Sequence, residues 1–581
     1  MDRLQVADVL DEIGLLLELK GENPFKTRAY LNAARLLRGL DQDLGELIRT
    51  GEIKKIRGIG KALAEKIGTL VTTGRLPYLE DLRAEIPEGL LEWLRIPGLG
   101  PKKARTIHEA LGISTLGELE YACKENRLRD LEGFGETSQR KILRGIERLR
   151  RQAGRFLQPL VQSEARRLLE VVRAVKGVAR AEVAGSVRRR TETSRDIDIV
   201  AACDEETGAV MEAFIRSKGV AEITGHGPTK SSVRLETGPS ADLRVVADRS
   251  YPFALFYFTG SKAHNIAVRG RAQKLGFKLN EYALTREDDG SEVFCADEAE
   301  IYGNLRMKWI PPELREDSGE IEAAEEGTLP KLLEWNDLKG ILHCHSNWSD
   351  GNASIAEMAE AVRAMGMSYL GLCDHSRSAA YAGGLSIERL GEQHAEIDRL
   401  NREYDGTFRV LKGIEADILP DGTLDYPDEI LSTFDLVVAS VHSHFNLSEE
   451  EQTRRILGAM ESPYVDILGH LTGRLLLARD AYPLELRRIL DVAAERGVAV
   501  EVNAHPHRLD LDWLNLRYGL GRGMKTSVNP DAHSTEGIRY VRYGVGVARK
   551  GWCTSEDVLN AWPLERLLEH IAARRKRVGV S

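Results

Sequence analysis

"LHCHSNWSDG", residues 342–351, is the stretch on which the architecture of the C-terminal half depends. His343 and His345 alternate with Cys344, so on a β-strand both imidazoles project from one face and the thiol from the other. Imidazoles on one face can share a metal ion, although histidines satisfied inside a core are the commoner case. The stretch therefore predicts a metal site only if further ligands accompany it.

Further ligand-type side chains do follow, and most come just after a short apolar run such as "YLGLC", "FDLVVASV" or "VDILG". Helical stretches such as "SIAEMAEAVRAMG" separate these runs, and this alternation predicts a β/α barrel with its catalytic groups at the C-terminal strand ends. The candidate ligands are His343, His345, Asp350, His375, Glu415, His442, His470, Asp531 and His533. Nitrogen and oxygen ligands without thiolates suit two or three ions of zinc, manganese or iron, which activate water for phosphoester hydrolysis.

Length and composition place the chain among soluble multidomain proteins. With 581 residues, of which 42% are hydrophobic and 29% charged, it is too long for one core. No apolar run approaches the roughly 18 residues that span a bilayer, and the N-terminus has no secretory pattern. Six cysteines without a CxxC pair suit reduced thiols. We therefore expect a cytoplasmic protein without membrane contact.

Charge and histidine are unevenly distributed along the chain. Residues 1–300 carry 49 Lys and Arg against 46 Asp and Glu, whereas the whole chain has a net charge of -9. Of the 14 histidines, 11 lie at or beyond His343. An acidic, histidine-rich C-terminal half is typical of a metal-dependent hydrolase, although acidic surfaces usually serve solvation alone.

A short pattern recurs three times in the N-terminal region, as "IRGIGKALAEKI", "IPGLGPKKARTI" and "LEGFGETSQRKI". In each copy two glycines flank one apolar residue ahead of an amphipathic helix; the pairs are Gly58 and Gly60, Gly98 and Gly100, and Gly133 and Gly135. A single copy would be interpreted as a helix cap. Three copies resemble helix-hairpin-helix motifs, which hold the DNA backbone without reading sequence.

Two aspartates point to nucleotidyl transfer. Asp196 and Asp198 are two residues apart in a strand-like run, so both carboxylates project from one face. Asp242, in "SADLRVVAD", completes a site for two Mg²⁺ ions if its strand is a neighbour. Asp-x-Asp alone is usually solvated surface, but Gly185 and Ser186 precede it, together with arginines that can grip a triphosphate.

The ordered motifs "GSVRR", "DID", "ADLR", "FYFTGS" and "NEYAL" resemble the family X DNA polymerases, the group that contains DNA polymerase beta, across residues 1 to about 318. The resemblance implies gap filling on gapped or primer-template DNA from deoxynucleoside triphosphates, with Asp196, Asp198 and Asp242 as Mg²⁺ ligands and catalytic carboxylates. It also implies nucleotide contacts by Gly185, Ser186, Arg189, Tyr257, Phe258, Thr259, Gly260, Asn265 and Arg269.

The first residues resemble the lyase domain of polymerase beta through "NPFKTRAYLNAA" and "GKALAEKI". Lys26 and Tyr30 stand at its phosphate-binding positions and Lys66 at its Schiff-base position, whereas Phe25 replaces the family's histidine. A lysine that loses its proton can attack a sugar aldehyde. The resemblance predicts DNA-end binding more firmly than lyase chemistry.

Residues 338–581 resemble the polymerase and histidinol phosphatase (PHP) domain, which implies the nine-ligand hydrolytic site already derived. We expect a monomeric, multidomain α+β and α/β chain with a helical helix-hairpin-helix region, an antiparallel nucleotidyltransferase palm and a distorted β/α barrel. The expected domains are 1–80, lyase-like; 81–150, helix-hairpin-helix; 151–248, palm; 249–318, nucleotide and template binding; 319–337, acidic linker; and 338–581, PHP.

Three functions remain open at this point. The leading hypothesis is a repair polymerase with a PHP 3'-5' exonuclease or related phosphoesterase. The alternatives are a DNA-tethered PHP phosphatase, acting on 3'-phosphate ends or a small phosphoester, and a DNA-gap scaffold without catalysis.

Overall fold

The computed structural model describes residues 1, 3–38, 44–56, 58–96, 98–129, 131, 133–150, 154–205 and 207–577. It divides into two compact units, residues 1–149 and 150–581. None of the helices in these described ranges is both long and apolar enough to cross a membrane.

The N-terminal unit is helical. Its helices are α1 (Arg3–Lys20), α2 (Pro24–Arg38), α3 (Leu44–Arg49), α4 (Lys61–Thr73), α5 (Pro77–Glu85), α6 (Glu88–Trp93), α7 (Pro101–Leu111), α8 (Leu116–Lys124) and α9 (Glu136–Arg150). One apolar cluster joins α1 residues such as Leu10 and Ile13 to Trp93, and these side chains are fully buried. The helices therefore share a single core.

The second unit begins with a five-stranded sheet, ordered β2-β4-β7-β6-β5. Its elements, with a small β1/β3 pair, are β1 (Phe156–Leu157), α10 (Gln158–Arg173), β2 (Arg180–Val183), α11 (Gly185–Arg188), β3 (Thr193–Ser194), β4 (Asp196–Ala202), α12 (Thr207–Ile215), β5 (Val220–His226), β6 (Lys230–Leu235) and β7 (Ser240–Val246). The sheet is mixed, because β4 and β7 run parallel while the other pairs are antiparallel. The sequence predicted an antiparallel sheet and missed the crossover by which the chain leaves β4, reaches the far edge at β5 and returns to β7.

The next segment packs helices around a three-stranded antiparallel sheet. Its elements are α13 (Tyr251–Thr259), α14 (Lys262–Lys274), β8 (Phe277–Leu279), β9 (Leu284–Arg286), β10 (Glu292–Val293), α15 (Glu298–Asn304) and α16 (Glu320–Glu326). Helix α16 lies in the segment predicted as a linker, yet Glu320 is fully buried and its carboxylate lies 2.7 Å from His264 Nδ1. The first part of this acidic segment is therefore folded onto α14.

The C-terminal part is a seven-stranded parallel sheet whose strands follow chain order from β11 to β17. Its strands are β11 (Gly340–Cys344), β12 (Tyr369–Leu372), β13 (Arg409–Asp417), β14 (Leu436–Ser440), β15 (Ile467–Leu468), β16 (Ala499–Asn503) and β17 (Thr526–Asn529). Its helices are α17 (Ile355–Ala364), α18 (Ile387–Tyr404), α19 (Asp428–Leu431), α20 (Glu449–Ala459), α21 (Leu486–Arg496), α22 (Trp513–Gly521), α23 (Val541–Lys550) and α24 (Leu564–Arg577). A bridge between Cys344 and Ala532 brings the first and last strands together, so the barrel is nearly closed and the predicted fold class is confirmed.

Asn560 links β11 and β17 by hydrogen bonds across the seam where the first and last strands of the barrel meet. Its buried side-chain amide donates to the carbonyls of Gly340 in β11, at 3.2 Å, and Val528 in β17, at 2.8 Å. Its side-chain oxygen accepts from the backbone N–H of Val528 at 2.9 Å. One side chain thus satisfies backbone groups that the incomplete sheet leaves unpaired.

Replacing Asn560 with Leu should lower the free energy of unfolding by about 2–4 kcal/mol, because buried backbone groups lose their hydrogen bonds. Differential scanning calorimetry would show the loss as a lower melting temperature for the barrel. The exposed residue Asn446 provides the control N446L. An equal shift in both variants would contradict the role of Asn560 at the seam.

Candidate active sites

The nine predicted ligands of the C-terminal half come together at the C-terminal ends of the barrel strands, around Glu415 at the end of β13. The two Glu415 carboxylate oxygens face five imidazoles, with nitrogens at 2.9 Å (His470 Nε2), 3.0 Å (His375 Nδ1), 3.2 Å (His442 Nε2), 3.4 Å (His343 Nε2) and 3.7 Å (His345 Nε2). The Glu415 carboxylate therefore lies at the centre of this group of imidazoles.

The remaining ligands close the cluster on the opposite side. Asp350 lies 3.2 Å from His533 Nε2 and 3.5 Å from His375 Nε2. Asp531 lies 3.2 Å from His345 Nε2. Three groups of these side chains have ligand atoms within 4.8 Å of one another: His345 with Asp350, His375 and His533; His343 with His345 and Glu415; and His375 with Glu415 and His442.

Cations fit this donor set. His343 Nε2, both ring nitrogens of His345 and one Glu415 oxygen are buried without a hydrogen-bond partner in the described part of the chain. Leaving such atoms unsatisfied costs about 1–3 kcal/mol each, and metal coordination removes that cost. Burial opposes ionisation of Glu415, but His442, His343 and His375 nevertheless hold its pKa well below the usual range. The carboxylate is thus ready to coordinate a divalent ion.

The strand geometry at the opening stretch differs from simple alternation. His343 has a backbone φ of 57°, in the left-handed region, and the register of β11 against β12 shifts between Ile341 and Cys344. Strand β11 ends at Cys344, yet the rings of His343 and His345 lie 5.3 Å apart between centroids. A bulge therefore achieves the shared orientation that alternation predicted.

A layer of supporting residues was missed by the sequence analysis. Glu501 accepts from His343 Nδ1 at 2.6 Å and from the backbone N–H of His470 at 2.8 Å. Asp417 is hydrogen-bonded to His442 Nδ1. These contacts direct the opposite ring nitrogens into the cluster. The signal available in the sequence was an acid within an otherwise apolar run, in "GVAVEVNA" and "GIEADIL".

The three aspartates of the first candidate site are also brought together. Asp198 in β4 is the direct register partner of Asp242 in β7, and Asp196 pairs with Ser240. Burial, followed by the charges of Asp196 and Asp242, raises the pKa of Asp198 to about 7. Lys230 Nζ lies 2.7 Å from Asp242. Such mutual repulsion between carboxylates is relieved when they share divalent cations.

Gly185 is required by the position of Asp198. Its φ is 60°, and a Cβ there would lie 2.0 Å from an Asp198 carboxylate oxygen. The next residue, Ser186, donates its hydroxyl to Ser194 at 2.9 Å. The glycine therefore lets the turn lie against the carboxylates.

The other predicted nucleotide contacts lie around α13 and α14. The Tyr257 and Phe258 rings meet edge to face at 5.2 Å, and the Asn265 amide donates to the Tyr257 carbonyl at 2.7 Å. Thr259 and Gly260 are buried, whereas Arg269 is exposed. Arg189 donates to the Thr259 carbonyl and, at 3.1 Å, to Glu316, so its guanidinium is engaged by protein.

The three predicted helix-hairpin-helix turns have one geometry. The first glycine of each pair is left-handed, with φ of 104° at Gly58, 85° at Gly98 and 86° at Gly133. The second glycine of each pair, Gly60, Gly100 or Gly135, directly precedes helix α4, α7 or α9. A Cβ at any of these second glycines would meet nothing within 4 Å, so each turn presents an open backbone.

Lys66 sits in an aromatic setting that the sequence did not reveal. Its ammonium lies 3.5 Å from the centroid of the Tyr78 ring and donates to the Tyr30 hydroxyl. Burial and the nearby charge of Lys26 lower the pKa of Lys66. Phe25 is 78% exposed.

Comparisons with known proteins agree with this arrangement. Four family profiles match: a helix-hairpin-helix domain at residues 1–76, a SAM-like helix-hairpin-helix tandem at 90–148, the DNA polymerase beta thumb at 254–316 and the PHP domain at 342–505. The DNA polymerase/3'-5' exonuclease PolX of Bacillus subtilis is 38% identical over 579 residues, which cover 99% of this chain and 100% of the relative. A probable phosphatase of Thermoanaerobacter is 26% identical over 255 residues, covering 42% of this chain and 98% of that relative.

An aspartate triad on a mixed sheet and a histidine-rich cluster in a parallel barrel define a protein with two candidate phosphotransfer sites, and three glycine turns precede them in the chain. The chain belongs to the family X DNA polymerases that carry a C-terminal PHP domain, as its full-length similarity to PolX shows. The resemblance recognised in the sequence is thereby confirmed.

Replacing Gly185 with Ala should reduce primer extension by about 100-fold, because the added methyl group would displace the Asp198 carboxylate from its position opposite Asp242. Single-nucleotide gap filling under steady-state conditions would measure the loss as kcat/KM. Gly208 is exposed on α12, and an added Cβ there would meet no atom within 4 Å, so G208A provides the control. Equal activity in G185A and G208A would contradict the proposed contact.

Proposed function

We propose that this protein is a template-directed, gap-filling DNA repair polymerase whose PHP domain is a separate 3'-5' exonuclease. The observation that carries the proposal is the presence of two distinct ligand clusters, on β4 and β7 of the palm sheet and at the strand ends of the barrel. Family membership and the full-length similarity to a polymerase/exonuclease support both activities.

In the polymerase site, Asp196, Asp198 and Asp242 would hold Mg²⁺. When bound, the ions would activate the primer 3'-hydroxyl and neutralise the leaving pyrophosphate. Gly185 and Ser186 would offer backbone and hydroxyl contacts to the triphosphate, and Arg189 would exchange Glu316 for a phosphate oxygen. Tyr257 and Phe258, which lie beside one another on α13, would flank the incoming sugar.

The remaining nucleotide contacts would come from the residues that follow. Thr259 and Gly260 continue the wall formed by α13, Asn265 is fixed by its bond to Tyr257, and Arg269 extends towards solvent, where the template would pass. The glycine turns of the N-terminal unit would hold the duplex by its phosphates. Together they suit gapped or primer-template DNA and deoxynucleoside triphosphates.

In the PHP site, the nine clustered side chains would hold two or three ions of Zn²⁺ or Mn²⁺. When bound, these ions would lower the pKa of a water molecule to about 7 and orient a phosphodiester for hydrolysis. Glu415 would help to hold the ions, while Glu501 and Asp417 keep His343 and His442 in the ligand orientation.

Two variants should separate the polymerase and nuclease activities, because each replaces a ligand in only one of the two clusters. Asp198→Asn should abolish primer extension and leave 3'-end degradation within about twofold, whereas Glu415→Gln should do the reverse and reduce nuclease activity about 100-fold. Both rates can be followed on one gapped duplex labelled at the primer 5' end.

Metal analysis of the same proteins makes the test sharper. Glu415→Gln should purify with fewer equivalents of transition metal than the wild type, whereas E360Q, at an exposed position on α17, should retain all of them. Loss of degradation in Asp198→Asn would refute the two-site proposal. Release of inorganic phosphate from 3'-phosphate ends, without nucleotide release, would instead favour the DNA-tethered phosphatase.

The surroundings of Lys66 favour a second candidate activity on 5'-deoxyribose phosphate ends. A lysine with a lowered pKa, held beside Tyr30 and near Lys26, suits a Schiff base with a sugar aldehyde next to a bound phosphate. Here Lys26 and Tyr30 would bind the 5' phosphate.

Borohydride reduction should trap a covalent adduct between the full-length protein and an incised abasic site, and K66A should lose it. The control K54A replaces an exposed lysine outside this setting. Adduct formation at wild-type levels in K66A would exclude Lys66 as the nucleophile. Lack of any adduct in the wild type would limit this region to DNA-end binding.

A further inference from the structure

A cavity of about 520 Å³ lies where the palm, the thumb and the PHP barrel meet. Five arginines line it: Arg166 and Arg173 of α10, Arg188 at the end of α11, Arg190 two residues later, and Arg549 of α23. Arg166, Arg173 and Arg190 are exposed, and Arg188 and Arg549 are half-buried, so the cavity walls form a positively charged surface that attracts anions. No metal-ligand cluster described above shares its walls.

Three of the five arginines form ion pairs with carboxylates. Arg173 lies 3.1 Å from Glu182, Arg549 lies 2.8 Å from Glu313 and Arg188 lies 2.7 Å from Glu298. Among the described residues, the guanidinium groups of Arg166 and Arg190 have neither a hydrogen bond nor an ion pair. Both side chains are exposed, so the cavity presents two guanidinium groups that no ion pair among the described residues neutralises, although the charge of Glu313 acts on Arg190.

Arg190 occupies a backbone position that disfavours a side chain. Its φ of 56° lies in the left-handed region, where glycine would be unstrained, and its methylenes pack 3.5 Å from the position of a Cβ on Gly546 in α23. Desolvation lowers the pKa of Arg190, and the charges of Arg549 and Arg166 lower it further against the opposing effect of Glu313. Strain and like-charge repulsion are thus both retained at this wall.

The chemistry of the walls indicates the ligand. A phosphate monoester carries a charge of about -1.5 to -2 at pH 7, which matches the two unpaired guanidinium groups better than a single phosphodiester does. Trp309, 41% exposed, also lines the cavity, as do the apolar side chains of Leu169 and Val187. An indole beside an arginine pair suits a nucleobase that carries a phosphate.

We propose that this cavity is a second nucleotide site, which binds the terminal phosphate of a mononucleotide on Arg166 and Arg190 and its base on Trp309. The site is separate from both clusters to which catalysis is assigned. Its walls come from palm, thumb and barrel, so an occupant would join the three parts. Binding should therefore raise the melting temperature of the whole protein.

The experiment titrates dAMP into the full-length protein in EDTA and measures heat of binding. We expect one site per chain, with affinity weakened about tenfold or more in R166Q and in R190G, because each loses a charge-assisted contact. R190G is informative because it also removes backbone strain, so the unliganded protein should melt at the same or a higher temperature while binding falls. R216Q, an exposed palm arginine outside the cavity, is the control.

Further titrations test whether the base contributes to binding and whether the phosphate comes from a mononucleotide or from a DNA end. Trp309→Ala should weaken dAMP but leave inorganic phosphate unchanged. An oligothymidylate with a 5' phosphate that binds more tightly than dAMP, in an Arg190-dependent way, would assign the same chemistry to a DNA end. Equal binding of the 5'-hydroxyl oligonucleotide would restrict the occupant to a free mononucleotide, because the glycine turns of the N-terminal unit can hold either oligonucleotide. A dAMP affinity that is insensitive to R166Q and R190G, or abolished by Glu415→Gln, would overturn the proposal.

Discussion

The burial of a carboxylate among imidazoles is the constraint around which the barrel is organised. Glu415, 1% exposed, faces ring nitrogens from His343, His345, His375, His442 and His470. The five chain segments that carry these six side chains must reach the same level along the barrel axis for the contacts to form. A parallel barrel with its strands in chain order satisfies that condition, because the C-terminal ends of its strands meet at one rim.

The palm also brings ligand-type side chains together, but with fewer residues. Parallel pairing of β4 and β7 brings Asp198 opposite Asp242. Burial, and after it repulsion by Asp196 and Asp242, raises the pKa of Asp198. Gly185 allows the turn to approach this charge without a steric clash. The palm holds together carboxylates that would separate in solution, and the barrel buries ligand atoms that have no hydrogen-bond partner among the described residues. Divalent cations would offset both costs.

Ion pairs fix the two sites within one compact unit. Arg474 at the barrel rim lies 2.9 Å from Glu192, and Arg549 lies 2.8 Å from Glu313. Lys550 is nearly fully buried and contacts Glu316, the same carboxylate that holds Arg189. Because Arg189 is a proposed triphosphate contact, the barrel helix α23 reaches the polymerase site through one shared acid. Because a buried charge is costly without its partner, these ion pairs favour one orientation of the barrel relative to the palm and thumb.

The chemical types and the local spacing of the site residues could be predicted from the amino-acid sequence alone. Periodicities within single strands and turns were sufficient for this prediction. They identified the two aspartates at i and i+2, the nine nitrogen and oxygen ligands, and the three glycine pairs. The folded chain was needed to reveal the parallel pairing that brings Asp242 to Asp198, the support of His343 by Glu501, 158 residues away, and the cavity between palm, thumb and barrel. These features depend on register and packing between distant segments, and no local pattern carries that information.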